Sequence, residues 1–113
     1  GKPAGRQNAI EQLKAMVGQK HTFYTGVTIF DSVTGEAASD YSDFSVTLRN
    51  LTDAQIESYV DREKPFDCAG AFRVEGLGIA LMEKMEGDDY NSLIGLPLIK
   101  LTELLGRFGV EVL

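Results

Sequence analysis

Between Asp67 and Gly78 the chain reads Asp67-Cys68-Ala69-Gly70-Ala71-Phe72-Arg73-Val74-Glu75-Gly76-Leu77-Gly78, with three glycines and two alanines around an Arg and a Glu. An ordinary core segment carries large apolar residues. Small ones let a backbone come close to another backbone or to a flat ligand. Gly70 and Gly76 are the positions where such an approach is expected. The apolar run over 77–82 that follows reads as the start of a buried strand over 77–85. Glu75 then stands at the mouth of a strand with glycine beside it, where a scaffold offers a side chain to a ligand. The competing reading is a glycine-rich turn whose Glu is only solvated.

The rest of the chain supplies a mixed α and β frame for this stretch. Pro3 suits a first helical turn. Ile10, Leu13, Met16 and Val17 fall on one face at helical spacing, and Gly18 can close that helix. Residues 22–30 are rich in β-branched and aromatic side chains on both faces, which predicts a central strand. Asp31-Ser32-Val33-Thr34-Gly35 reads as a turn, and a second strand with Phe44, Val46 and Leu48 on one face completes an antiparallel hairpin. Thr52-Asp53-Ala54-Gln55 has the spacing of a capping box, opening a helix whose buried face is Ile56, Tyr59 and Val60 and which Lys64-Pro65 ends. Glu86-Gly87-Asp88-Asp89 reads as a turn. Pro97 starts a last helix, with Leu98, Leu101, Leu104, Leu105 and Phe108 inward and Gly109 at its end. The pattern is helix, hairpin, helix, strand, helix around a sheet.

Length and charge narrow the function. At 113 residues the chain is one domain or part of one, and a 43% hydrophobic content suffices for a packed core. A net charge of −6 argues against a nucleic-acid polymer as partner, because that grip needs a basic face. A single nucleotide needs only a few local cations. One cysteine, Cys68, excludes an internal disulfide and reads as a small buried side chain in a reduced, cytoplasmic setting. One histidine, His21, gives no zinc set. Glu86, Asp88 and Asp89 lack calcium-loop spacing and read as a charged turn. No apolar run has the length of a membrane span. The opening Gly1-Lys2-Pro3 has no strand or leader before it, which suggests a piece of a longer or processed protein.

Four stretches together resemble the Maf family of nucleoside triphosphate pyrophosphatases. Gly1-Lys2-Pro3 is similar to its G-K-P, and His21-Thr22-Phe23-Tyr24-Thr25-Gly26-Val27 to its H-x-V/F-x-T-G segment. Ala69-Gly70-Ala71-Phe72-Arg73-Val74-Glu75-Gly76 resembles A-G-x-Y/F-x-x-Q/E-G, and Asn91-Ser92-Leu93-Ile94-Gly95-Leu96-Pro97-Leu98 resembles N-x-V/L-V/I-G-L-P-L. Order and spacing agree along the chain. Cys68 and Glu75, where the dTTP/UTP branch usually has Lys and Gln, point to the 7-methyl-GTP branch.

The resemblance implies an elongated sheet with flanking helices, of the Maf and inosine-triphosphatase kind. Residues 1–113 would form the C-terminal part of a single Maf-like domain. The family's S-x-S-P-x-R-R loop and its S-D-Q segment, which holds the proposed general base, have no counterpart here, so no catalytic residue is carried over. The implied reaction hydrolyses a nucleoside triphosphate between the α- and β-phosphates with a divalent cation, Mg or Mn. Lys2 is the implied phosphate contact, and Glu75 the implied reader of the base edge. Arg73 is expected to be surface. The chain is expected to be inactive alone, and to form a homodimer or stay bound to its own N-terminal fragment. A non-catalytic nucleotide-binding module and a self-associating structural fragment remain the alternatives.

Overall fold

The computed structural model describes residues 4–66 and 72–113. Lys2, Pro3, Cys68 and Gly70 therefore lie outside the described residues. The chain divides into two compact units, Gly1–His21 with Val46–Met85 and Thr22–Ser45 with Glu86–Leu113. The elements in order are α1 (Arg6–Met16), β1 (Lys20–Phe30), β2 (Ala37–Leu48), α2 (Asp53–Glu63), a 3-10 helix (Leu77–Leu81), β3 (Met82–Gly87), α3 (Asn91–Ile94) and α4 (Leu98–Arg107). The strands form one antiparallel sheet in the order β1-β2-β3.

In the first unit α1 packs on α2. Ala9, Ile10, Leu13 and Met16 are the buried stripe of α1, and Ile56, Tyr59 and Val60 that of α2. Burying each large aliphatic side chain contributes about 1.5–3 kcal/mol. Thr52 closes the predicted capping box: the Gln55 N–H donates to its Oγ1 (3.2 Å) while the Thr52 N–H donates to Gln55 Oε1 (2.9 Å). At the other end Lys64 adopts a left-handed conformation (φ 50°) and its N–H returns to the Val60 carbonyl (2.9 Å), so Pro65 continues in a new direction.

In the second unit the hairpin turn is drawn by Asp31. Its carbonyl accepts from the Gly35 N–H (2.8 Å), with Gly35 at φ 77°, and its N–H donates to the Glu36 carbonyl (2.8 Å). Cross-strand hydroxyl pairs Thr22–Ser45 and Thr28–Ser39, each 2.8 Å, show the register. β1 is an edge strand, not the central strand that its apolar faces predict, and β2 occupies the centre. The outward aromatics of β1 stay exposed, Tyr24 at 71% and Phe30 at 65%. Tyr24 instead sits beside Tyr41 of β2, ring centroids 6.3 Å apart.

Three further expectations are corrected. Residues 77–81 form a 3-10 helix, and the strand starts only at Met82. The reason is local: the Gly76 and Gly78 N–H groups both donate to the Arg73 carbonyl, so the chain curls where a strand would point them apart. Glu86 and Gly87 belong to the end of β3 rather than to a turn. On α4 only Leu104 is buried, at 1% exposure, while Leu98 is exposed. The apolar stripe of α4 is wider than the surface that the described residues give it to cover.

Asp89, which reads as part of a charged turn in the sequence, has a structural task. Asp89 is 4% exposed. Its Oδ1 accepts from the Asn91 N–H and Nδ2 (2.9 Å each), and its Oδ2 from the Ile99 N–H (2.8 Å). One carboxylate thus starts α3 and caps α4, where the helix N-terminus also favours negative charge. The Ile99 N–H, with the Asn91 groups, holds the Asp89 carboxyl below the usual carboxylate range. A carboxyl lowered in the folded state stabilises above its unfolded value, about 3.9, and loses that contribution as pH falls through the folded one. Asp89→Asn is therefore expected to cost about 1–2 kcal/mol at pH 7. The cost should shrink as pH falls through the lowered folded value of Asp89. Urea unfolding across pH checks this, and a cost independent of pH would contradict it.

Candidate functional site

Glu75 lies in a turn whose backbone is pinned on both sides. Phe72 and Val74 are buried and anchor the approach. The Arg73 N–H donates to the hydroxyl of Tyr59 on α2 (2.6 Å). The Arg73 carbonyl accepts from the N–H groups of Gly76 (3.1 Å) and Gly78 (2.8 Å). The Leu77 N–H donates to Glu63 Oε1 (3.1 Å). Glu75 itself is exposed and makes no hydrogen bond among the described residues. The turn is held by Tyr59 and Glu63, and Glu75 is the carboxylate left over. It stands before a 3-10 helix rather than at the mouth of a strand.

At Gly76 and Gly78 the space beside the backbone is taken up by neighbouring groups. A side chain on Gly76 would run into the Glu63 carboxylate, and one on Gly78 into the Arg73 backbone. The close approach at these two positions is made by the protein's own groups. Arg73, expected as plain surface, acts through its backbone. Neither Tyr59 nor Glu63 was singled out for this work. Tyr59 was legible as a core position, and its hydroxyl is what the apolar pattern hides. Glu63 sits beside Lys64-Pro65 with no local signal, since its partner is 14 residues further on.

Two of the motif segments meet in the second unit. The Thr25 hydroxyl donates to the Ser92 carbonyl (2.7 Å), and the Ser92 hydroxyl donates to the Asp89 carbonyl (2.7 Å). Phe44 and Tyr90 pack edge to face, ring centroids 6.3 Å apart. His21 is half-buried with its Nε2 unpartnered. Among the described residues no three His, Cys, Asp or Glu side chains are grouped to hold a metal ion. No helix among them is long and apolar enough to cross a membrane.

The two glycines give a graded prediction. Gly78→Ala meets rigid backbone and should cost about 1–3 kcal/mol or more. Gly76→Ala meets the end of a flexible Glu63 side chain and should cost less, through loss of the bond to Leu77. Thermal unfolding of both variants checks the order, and equal costs would contradict the geometry.

Comparison with known proteins gives the same picture along the whole chain. The family described as "Maf-like protein" matches residues 1–108. The 7-methyl-GTP pyrophosphatase of Syntrophotalea carbinolica is 56% identical over all 113 residues, which cover 57% of that relative. The protein of the same name from Vibrio vulnificus is 58% identical over 113 residues, covering 58% of its length. That from Nitrosococcus oceani is 50% identical, covering 57%. The chain thus spans somewhat over half the length of these relatives. A match from the first residue to Phe108, with relatives this similar, shows that the chain belongs to the Maf family.

Proposed function

We propose that this chain is the C-terminal part of a nucleoside triphosphate pyrophosphatase that hydrolyses 7-methyl-GTP to 7-methyl-GMP and pyrophosphate, clearing a modified nucleotide in the cytoplasm. The observation that carries this reading is 56–58% identity, over the full chain, to proteins that bear that name. In this reading Lys2 contacts the phosphates and Glu75 reads the base. Guanine presents two neighbouring donors on its Watson–Crick edge, the ring N–H and the exocyclic amine, and a carboxylate offers two acceptors to match. Methylation of the seventh ring position makes the base cationic, which adds attraction to a negative side chain. Glu75, without a hydrogen bond among the described residues, sits on a turn whose backbone is pinned, and this supports the role because that backbone loses little freedom on binding. A divalent cation, Mg or Mn, belongs to the proposal as the companion of the triphosphate. The residues described here are given no part in holding it.

The test joins this chain to the preceding segment of the Vibrio vulnificus relative and compares kcat/KM for 7-methyl-GTP, GTP and UTP. Glu75→Gln keeps one acceptor but adds a donor and removes the charge. It should lower the preference for 7-methyl-GTP by about tenfold or more, on the scale of one hydrogen bond to a charged group. Unchanged ratios among the three nucleotides would place Glu75 outside the base pocket.

The chain alone should release no pyrophosphate from 7-methyl-GTP, since a missing general base by itself costs about 10²–10⁴-fold. We also propose that it self-associates or retains an N-terminal piece, because β1 has only one strand neighbour among the described residues. Turnover near that of the joined protein would count against the first expectation. A pure monomer by light scattering, with no bound peptide, would count against the second.

A further inference from the structure

The first unit contains a groove that the proposed reaction does not use. One stripe of α2 and the 3-10 helix face each other across about 390 Å³. Leu51, Tyr59, Leu77 and Leu81 give it an apolar lining, and Arg49 and Arg62 both border it. That volume falls in the range of small-molecule sites, which pair apolar walls with a few placed polar groups.

The two arginines set this groove apart from a plain packing gap. Neither forms an ion pair among the described residues, in a chain with 17 acidic residues and a net charge of −6. Arg62 alone is explained by its place in the last turn of α2, where a cation suits the helix C-terminus. Arg49 is not. It comes from the end of β2, and its Nη1 donates to the Ala80 carbonyl (3.3 Å), which holds the guanidinium at the wall. One such bond leaves most of its five N–H donors for another acceptor.

We propose that this groove binds a small aromatic anion with a single charged head group, its flat body against Leu51, Leu77 and Leu81 and its phosphate or carboxylate at Arg49 and Arg62. The pairing of an apolar wall with guanidinium groups that make no ion pair among the described residues selects for both halves of such a ligand. A polyanion is disfavoured in this groove because only two cationic side chains border it. A protein partner is disfavoured by size, since ten residues line the groove and a stable interface uses about 20–30 a side.

The test is calorimetric titration of the 113-residue chain with 1-naphthyl phosphate, 1-naphthol and inorganic phosphate, with amide shifts recorded by NMR. The expected result is one site per chain for 1-naphthyl phosphate, at least tenfold tighter than for either half alone. Shifts should centre on Gln55, Ser58 and Ala80. Arg62→Gln, an exposed substitution that leaves the core untouched, should weaken 1-naphthyl phosphate at least fivefold and leave 1-naphthol unchanged. Equal binding of 1-naphthol and 1-naphthyl phosphate, an unchanged affinity in Arg62→Gln, or shifts centred elsewhere would each overturn the proposal. So would a concentration-dependent dimer that displaces the probe, since it would assign the groove to a second copy of the chain.

Discussion

The carbonyl of Arg73 is the point on which the first unit turns. By accepting from both Gly76 and Gly78 it converts an apolar run into a 3-10 helix and delays β3 to Met82. That curl presents Glu75 to solvent. It also brings the Ala80 and Leu81 carbonyls to Arg49, whose side chain and N–H donate to them at 3.3 and 2.9 Å. The free carboxylate and the arginine-bordered groove are therefore products of one backbone event. Without glycine at 78 the Arg73 backbone has no room beside it, and both features lose their frame.

Glu63 in the first unit and Asp89 in the second each carry a structural task. Glu63 fixes the turn after Gly76, and Asp89 fixes α3 and the start of α4. Both accept from backbone N–H groups that helix starts and turns leave without partners, a bond stronger than its neutral counterpart. Sequence does not distinguish these acids from Glu75, because all three stand near glycine, proline or other acids. What separates them is whether a backbone donor is within reach, which is a tertiary fact.

The parts of the fold that rest on neighbouring residues were legible. The capping box at Thr52 and Gln55, the buried stripes of α1 and α2, the Asp31–Gly35 turn and the inward Phe44, Val46 and Leu48 all follow from periodicity and local hydrogen bonding. Three readings failed for one common reason. The strand over 77–85, the central place of β1 and the full inward face of α4 were each inferred from apolar content. Content does not say whether a partner surface exists or whether two glycines fold the backbone on itself. Of the candidate site, Glu75 was legible by position, while its supports Tyr59 and Glu63 each lie 14 residues before the backbone N–H they hold.

The mixed apolar character of β1 has a consequence for how the hairpin finds its alignment. Where both faces of a strand carry apolar side chains, sliding it by one residue exposes little that was not exposed before, so burial hardly selects the alignment. Here that selection falls to polar groups on the open face. Thr22 with Ser45 and Thr28 with Ser39 are matched pairs six positions apart on β1, closed at the far end by the Asp31 turn. Either pair is a modest cross-strand contact, about 0.2–1 kcal/mol. Together they work as a vernier: a slip by one residue breaks both marks at once, although the hydrophobic surface would have tolerated it.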